Sequence, residues 1–242
     1  MPVALLSVED VRVVFGGVVA LADLSFTIED GQICALIGPN GAGKTTLFNC
    51  VSRLYQPTSG SIEFDGHDLL RLPAHRIARI GIARTFQNLA LFPALTVMEN
   101  VMVGGYTHGR VNAKRRAEAR AILERLSLGH LASRPAVGLP YGTLKRIEIA
   151  RALAARPRLL LLDEPAAGLT HSEVGELGEL IRAVRDEFDL SVLLVEHHMA
   201  MVMAISDNVV VLDFGSKIAH GTPADVREDP LVIEAYLGTT VA

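Results

Sequence analysis

The chain has 242 residues, half of them apolar, and a formal net charge of −4 from 27 acidic and 23 basic side chains. With an isoelectric point near 6.1 it lacks the basic excess of nucleic-acid binders, so no nucleic-acid partner is expected, and its length suits one domain with a subdomain. Two cysteines make no disulfide framework, no charged-then-apolar leader opens the sequence, and no apolar run nears the roughly 18 residues of a membrane span. Reduced thiols in a chain that is neither secreted nor membrane-spanning are therefore expected. A mean hydropathy of +0.33 points either to a large α/β core or to an exposed partner-binding face.

Residues 5–15 and 18–28 are two runs rich in β-formers, split by Gly16-Gly17, which predicts a hairpin-type turn. Phe15, just before that turn, reads either as a core ring or as a platform on which adenine stacks. Residues 32–37 form a short apolar strand, and Gly38-Pro39-Asn40-Gly41-Ala42-Gly43-Lys44-Thr45-Thr46 follows. That stretch fills each fixed position of G-x-x-x-x-G-K-[ST], and residues 45–51 then read as a helix. Glycines let successive backbone N–H groups turn inward around phosphate oxygens, and the helix N-terminus adds its positive dipole end. In this pattern Lys44 reaches the β- and γ-phosphates and the Thr45 hydroxyl ligates Mg²⁺. The ligand expected here is a nucleoside triphosphate.

Pro57-Thr58-Ser59-Gly60 predicts a turn, 61–64 a strand, Asp65-Gly66 another turn, 72–79 a short basic helix and 81–87 a strand ending in the amide Gln87. Residues 88–140 change character. Thr96 and Glu99 have the spacing of a capping box, and 110–126 is rich in Arg, Lys, Glu and Ala, so it reads as a helix with a solvated charged face. A helical subdomain over about 88–140, inserted in the α/β body of a single 1–242 domain, is the expected organisation.

A helix over 143–156 follows, with Leu144, Ile147, Ile149, Ala150 and Leu153 on its apolar side. Four leucines at 159–162 then run into Asp163-Glu164, a buried parallel strand ending in paired carboxylates suited to metal and base chemistry. Thr170 and Glu173 form a second capping box before a helix with apolar residues at helical spacing. The strand at 190–195 ends in Glu196-His197-His198, which sets a histidine where open α/β sheets bind ligands. A closing hairpin over 208–220, a helix opened by Thr222-Pro223 and a short helix at 231–237 complete the chain.

The order phosphate loop, glutamine-ending strand, helical insert, glycine at a helix start, Asp-Glu strand and histidine resembles the ATP-binding subunit of ABC transporters across essentially the whole chain. Ala83-Arg84-Thr85-Phe86-Gln87, Glu148-Ile149-Ala150-Arg151, Glu164-Pro165-Ala166-Ala167-Gly168-Leu169 and Ile233-Glu234-Ala235-Tyr236-Leu237-Gly238 further resemble the LivG-type ATPase of branched-chain amino-acid importers. ATPases for urea, other small solutes or lipopolysaccharide share much of this text. The alternatives are thus another importer, an exporter or lipid extractor, and, more distantly, a soluble ABC-type protein or a kinase or GTPase.

The resemblance implies a phosphate-loop NTPase fold with a RecA-like core, an N-terminal antiparallel β subdomain and a helical subdomain. It implies ATP and Mg²⁺ as cofactors, with Phe15 at the adenine position and residues 38–46 around the phosphates. Thr45, Gln87 and Asp163 fall at or near the metal, Glu164 at the catalytic base and His197 at the γ-phosphate switch, with Lys44 on the phosphates. The family signature L-S-G-G-Q stands here as Leu139-Pro140-Tyr141-Gly142-Thr143, so Pro140 replaces the serine that reaches the partner's ATP; Thr170 replaces an aspartate in the following loop. Expected partners are transmembrane permease subunits, a second ABC ATPase in a heterodimer, with a homodimer as the alternative, and indirectly a solute-binding protein. The expected place is the cytoplasmic face of the membrane.

Overall fold

The computed structural model describes residues 4–108 and 113–237. The first two strands, β1 (Leu6–Phe15) and β2 (Val18–Ile28), pair antiparallel across the Gly16-Gly17 turn. The strand β3 (Ile33–Ile37) leads into the phosphate loop and α1 (Lys44–Val51). Next come β4 (Ser59–Phe64), the two-residue β5 (His67–Asp68), the short α2 (Ala74–Ile77) and β6 (Ile82–Arg84). The segment 88–140 carries α3 (Val97–Gly104) and α4 (Ala113–Arg125). The rest is α5 (Tyr141–Leu153), β7 (Leu159–Asp163), α6 (His171–Phe188), β8 (Ser191–Val195), α7 (Met199–Ile205), β9 (Asn208–Asp213), β10 (Ser216–Gly221), α8 (Pro223–Glu228) and α9 (Pro230–Leu237).

Two sheets result, an antiparallel one in the order β2-β1-β4-β5 and a six-stranded one in the order β10-β9-β3-β8-β7-β6. In the larger sheet β9, β3, β8, β7 and β6 run parallel and β10 closes the edge antiparallel. Each residue of β3, β7 and β8 is buried, as continuous apolar runs require of a sheet covered on both faces. One face packs against the antiparallel sheet and α1, through Leu36, Phe48, Leu161, Leu193, Ile62 and Phe64. The other packs against α3 to α6, where Leu160 and Leu162 of β7 join Val97, Leu123, Ile147 and Ile181 in one cluster. The apolar excess therefore goes chiefly into core, while Phe86 and Phe92 stay exposed beside Leu54 and Val103 in a groove between β6 and the 88–140 segment.

The capping boxes at Thr96, Thr170 and Thr222 are formed as their spacing requires, each threonine and its acid three residues on bonding reciprocally. Some bounds differ from the sequence reading. Of the helix expected over 110–126 the structure shows Ala113–Arg125, and residues 110–112 lie outside the described residues. The strand expected to reach Gln87 stops at Arg84. Beyond Arg84 the backbone turns toward α5, whose charged side chains hold it. The helix expected from Thr143 starts at Tyr141, with Pro140 as its N-cap, and ends at Leu153, three residues before the expected end. Proline suits the edge of a helix because its missing N–H is unneeded there.

Candidate functional site

The parallel strands β3, β7 and β8 end side by side, so their C-terminal loops converge. After β3 the chain passes through Gly38 to Gly43, which caps α1 in the left-handed region at φ 100°. A Cβ at Gly43 would lie 2.5 Å from the carbonyl oxygen of Ala20, and one at Gly38 would lie 2.0 Å from that of Leu212. Only glycine lets the loop approach its neighbours this closely. Lys44 is buried and its Nζ donates to the carbonyl oxygens of Gly38 (2.8 Å) and Pro39 (2.9 Å), so the ammonium sits inside the curve of the loop. Burial pulls its pKa down, against the pull of the Glu164 and Asp163 charges. Thr45 is exposed on the first turn of α1 and Thr46 is half-buried beside it, while Asn40 and Gly41 form the exposed crest of the loop and Ala42 its buried underside.

Asp163, the last residue of β7, is buried and its Oδ2 accepts from Arg84 Nη2 at 2.8 Å. Arg84 also donates to Asn49 Oδ1 (2.8 Å) and Ser52 Oγ (3.1 Å) on and after α1, and lies over the rings of Phe48 and Phe86. Glu164 adopts a left-handed backbone at φ 46°, held by its N–H on the Val195 carbonyl at 2.9 Å. This conformation is strained for a non-glycine residue and turns the carboxylate off the strand axis. Its two oxygens are taken separately: Gln87 Nε2 donates to Oε2 at 2.8 Å and His197 Nε2 lies 2.8 Å from Oε1. The structure thus brings together four sequence-predicted residues, Gln87, Asp163, Glu164 and His197, with Lys44 close enough to share their field.

Phe15 is 46% exposed and packs edge-to-face on Tyr55 with ring centroids 5.3 Å apart. The core-ring reading of Phe15 is therefore wrong, since nearly half of the residue is open to solvent. Pro140, Tyr141, Gly142 and Thr143 lie at the start of α5, away from the Glu164 cluster in sequence but linked to it by packing. The Tyr141 ring lies against Gly168, five residues after Asp163, and Lys145 Nζ stands 5.6 Å from its centroid. Lys145, itself buried, donates to the carbonyl of Gln87 at 3.2 Å.

Sequence reasoning did not single out Arg84, Lys145, Glu148, Arg151 or Glu196. Glu148 is buried and accepts from the N–H of Ala90 at 3.2 Å, and Arg151 donates to the Ala90 carbonyl. Burial raises the Glu148 pKa, against the backbone N–H of Ala90 and the charges of Lys145 and Arg151. The signal was present: residues 145, 148 and 151 recur every three positions along a helix, set among the apolar Leu144, Ile147, Ile149 and Ala150.

The residues expected at the metal, Thr45 on α1, Asp163 at the end of β7 and Gln87 beyond β6, offer a hydroxyl, a carboxylate and an amide oxygen. These are hard oxygen donors, and Arg84 engages only Oδ2 of Asp163. Among the described residues no group of three or more His, Cys, Asp or Glu side chains stands ready to cage an ion. Such a set, with one carboxylate among its hard oxygens, fits Mg²⁺, which takes one or two carboxylates and completes its shell with other oxygens, water and phosphate.

A glycine-rich loop over a helix N-terminus, a buried lysine inside it and carboxylates at the ends of adjacent parallel strands define a phosphate-loop nucleoside triphosphatase. The model of the ABC transporter family matches residues 21–167, and a second, for branched-chain amino acid ATP-binding cassette transporters, matches 216–242. The chain is 45% identical to the high-affinity branched-chain amino acid transport ATP-binding protein BraF of Pseudomonas aeruginosa, over 97% of this chain and 98% of that one. It is 43% identical to LivG of Escherichia coli, with the same coverage. Among solved structures, a nucleotide-free ATP-binding cassette from an ABC transporter superposes with TM-score 0.89 at 29% identity, covering 98% of this chain and all of that one. An ABC transporter cassette in its ADP conformation superposes with TM-score 0.90, also at 29% identity, over 98% and 99% of the two chains. The chain belongs to the ABC transporter family, as an ATP-binding, ATP-hydrolysing subunit. Among the described residues no helix is long and apolar enough to cross a membrane.

Proposed function

We propose that this subunit powers the import of branched-chain amino acids, working from the cytoplasmic face of the membrane beneath transmembrane permease subunits. The observation that carries the reading is the Gln87–Glu164–His197 arrangement at the end of β7, within the field of the phosphate loop. Similarity to BraF and LivG over nearly the whole chain supports the solute class.

In this reading residues 38–46 hold the ATP phosphates, Lys44 neutralises them, and the exposed ring of Phe15 offers a stacking face to the base. Thr45, Asp163 and Gln87 would hold Mg²⁺, which when bound supplies charge neutralisation on the phosphate oxygens. Glu164 orients the attacking water and takes its proton at a carboxylate oxygen. Gln87 and His197 occupy one acceptor site on each oxygen, and a carboxylate has about four such sites, so a water can be bound beside them. Catalysis then rests on positioning and on preorganised charge. His197, on the β8 loop, is placed to steady the terminal phosphate.

The 88–140 segment is the helical subdomain of a single 1–242 domain. Gln87 stands at its root, tied to α5 by Lys145. Closure on ATP can therefore move the exposed apolar groove at Phe86 and Phe92, which suits a permease contact. Pro140, Tyr141, Gly142 and Thr143 face the ATP of a second cassette. With Pro140 in place of a hydroxyl, the partner's site is the weaker of the two, which favours a heterodimer with a related ATPase of fuller signature. A solute-binding protein completes the system on the far side of the membrane.

Mass spectrometry of what co-purifies from gently solubilised native membranes tests the assembly. Two multi-span permeases and a second, similar ATPase are expected; one permease type with no second ATPase would point to a homodimeric engine instead. A purified chain that alone forms an ATP-bound homodimer with full hydrolysis would rule out the heterodimer.

A further inference from the structure

Glu196 follows β8 directly and is 1% exposed. Its Oε1 accepts from the N–H of Ala166 at 2.6 Å, and its Oε2 accepts from the N–H groups of His197 at 2.8 Å and His198 at 3.2 Å. The three donors belong to two different loops. Ala166 stands two residues beyond Glu164 on the loop after β7, and His197 begins the loop after β8. The loop after β7 is also tied to the last residue of β8 itself, where the N–H of Glu164 donates to the Val195 carbonyl at 2.9 Å. Backbone pairing between β7 and β8 ends at Asp163 and Val195, so past that point nothing in the sheet ladder sets their spacing. The buried carboxylate spans the gap. It uses both oxygens as acceptors, which suits a carboxylate and no other side chain of this length: an amide has one acceptor oxygen and would turn an NH₂ toward a backbone donor.

We propose that Glu196 is a positioning residue for ATP hydrolysis, a clamp that fixes the loop bearing Glu164 against the loop bearing His197 and so maintains their 2.8 Å contact. It does not touch the reacting atoms; it acts through the backbone of the residues that do. The inference rests on the reading that Glu164 and His197 serve hydrolysis.

Glu196→Gln preserves volume and one acceptor while releasing one of the two loops. In the full-length chain assembled with its permease partners, kcat is expected to fall about 100-fold, the loss that a displacement of order 1 Å brings. KM for ATP is expected to stay within about 3-fold, because the phosphate loop is untouched. Amide hydrogen exchange should quicken at Ala166, His197 and His198 and stay unchanged along residues 38–46. Glu196→Asp, with both acceptor oxygens on a shorter arm, should regain part of the lost kcat, and it carries the same readouts if Glu196→Gln does not fold. Wild-type turnover in a parallel Glu164→Gln sample would remove the underlying site reading. An inactive Glu164→Gln beside an unimpaired Glu196→Gln would overturn the clamp alone. So would a loss spread equally over kcat, KM and exchange throughout the chain, which marks a structural residue.

Discussion

Replacing Arg84 by alanine tests the coupling of the strand ends to α1. The Arg84–Asp163 pair is buried, with side chains 9% and 5% exposed, and its N–O distance is 2.8 Å. Arg84 has other supports in Asn49, Ser52 and the rings of Phe48 and Phe86, whereas Arg84 is the cation hydrogen-bonded to Asp163, with the Lys44 charge acting from farther off. Arg84→Ala therefore leaves a buried carboxylate that has lost its hydrogen-bonded cation, a loss of about 3–5 kcal/mol by analogy with other broken buried pairs. For a domain of this size each kcal/mol lowers Tm by about 2–4 °C, so the expected fall is roughly 6–20 °C. Asp163→Asn is milder, about 1–2 kcal/mol, because the guanidinium keeps its neutral acceptors and an amide oxygen beside it. Thermal and urea melts followed by circular dichroism at neutral pH measure both. A fall in Tm below about 2 °C for Arg84→Ala, or a larger loss for Asp163→Asn than for Arg84→Ala, would refute the reasoning.

Burial raises the Cys34 thiol to about 12, with Asp207 adding to the shift, and the Cys50 thiol to about 11. Both should resist a thiol-reactive disulfide reagent in the native chain and react together on unfolding; rapid native labelling of either would contradict this. Thr96→Ala should cost about 1 kcal/mol through loss of the α3 cap, read from a urea melt. Hydrogen bonds from the capping threonines hold the Glu99, Glu173 and Asp225 carboxyls below their ordinary values. Because the folded values are depressed, this stabilisation is present above the ordinary carboxylate range and is lost as pH falls through the folded values. In an acid titration the gap between Thr96→Ala and wild type should accordingly narrow at low pH without closing, because the bond from the Glu99 N–H to the Thr96 hydroxyl does not depend on the carboxylate's charge. Glu148→Ala removes the acceptor for Ala90 and the ion partner of Arg151, so amide exchange should rise across residues 86–90, with a stability loss of about 3 kcal/mol.

Elements with strong local signals were legible from residue types alone. The phosphate loop, the four-leucine strand ending in Asp163 and Glu164 and the three threonine caps appear where their patterns require. What stayed hidden depends on contacts between segments far apart in the chain. Arg84 lies 79 residues from Asp163, and nothing local in Ala83-Arg84-Thr85 announces an ion pair. Glu196 has no reading of its own in the sequence beside His197, because its three backbone partners exist only once β7 and β8 lie side by side. The strand expected to reach Gln87 was overextended for the same reason: α5 captures the chain after Arg84, and a periodic pattern carries no record of that capture. Phe15 keeps two readings in the sequence because an aromatic at a strand end looks alike in either setting until its exposure is known.

The most direct test of the central claim is uptake of labelled leucine by proteoliposomes that contain the assembled transporter, its solute-binding protein and enclosed Mg-ATP on the side of this subunit. Uptake that depends on ATP and collapses with Glu164→Gln, while ATP binding persists, is the expected result. ATP hydrolysis without leucine uptake would contradict the assigned solute, and uptake undiminished by Glu164→Gln would contradict the assigned engine.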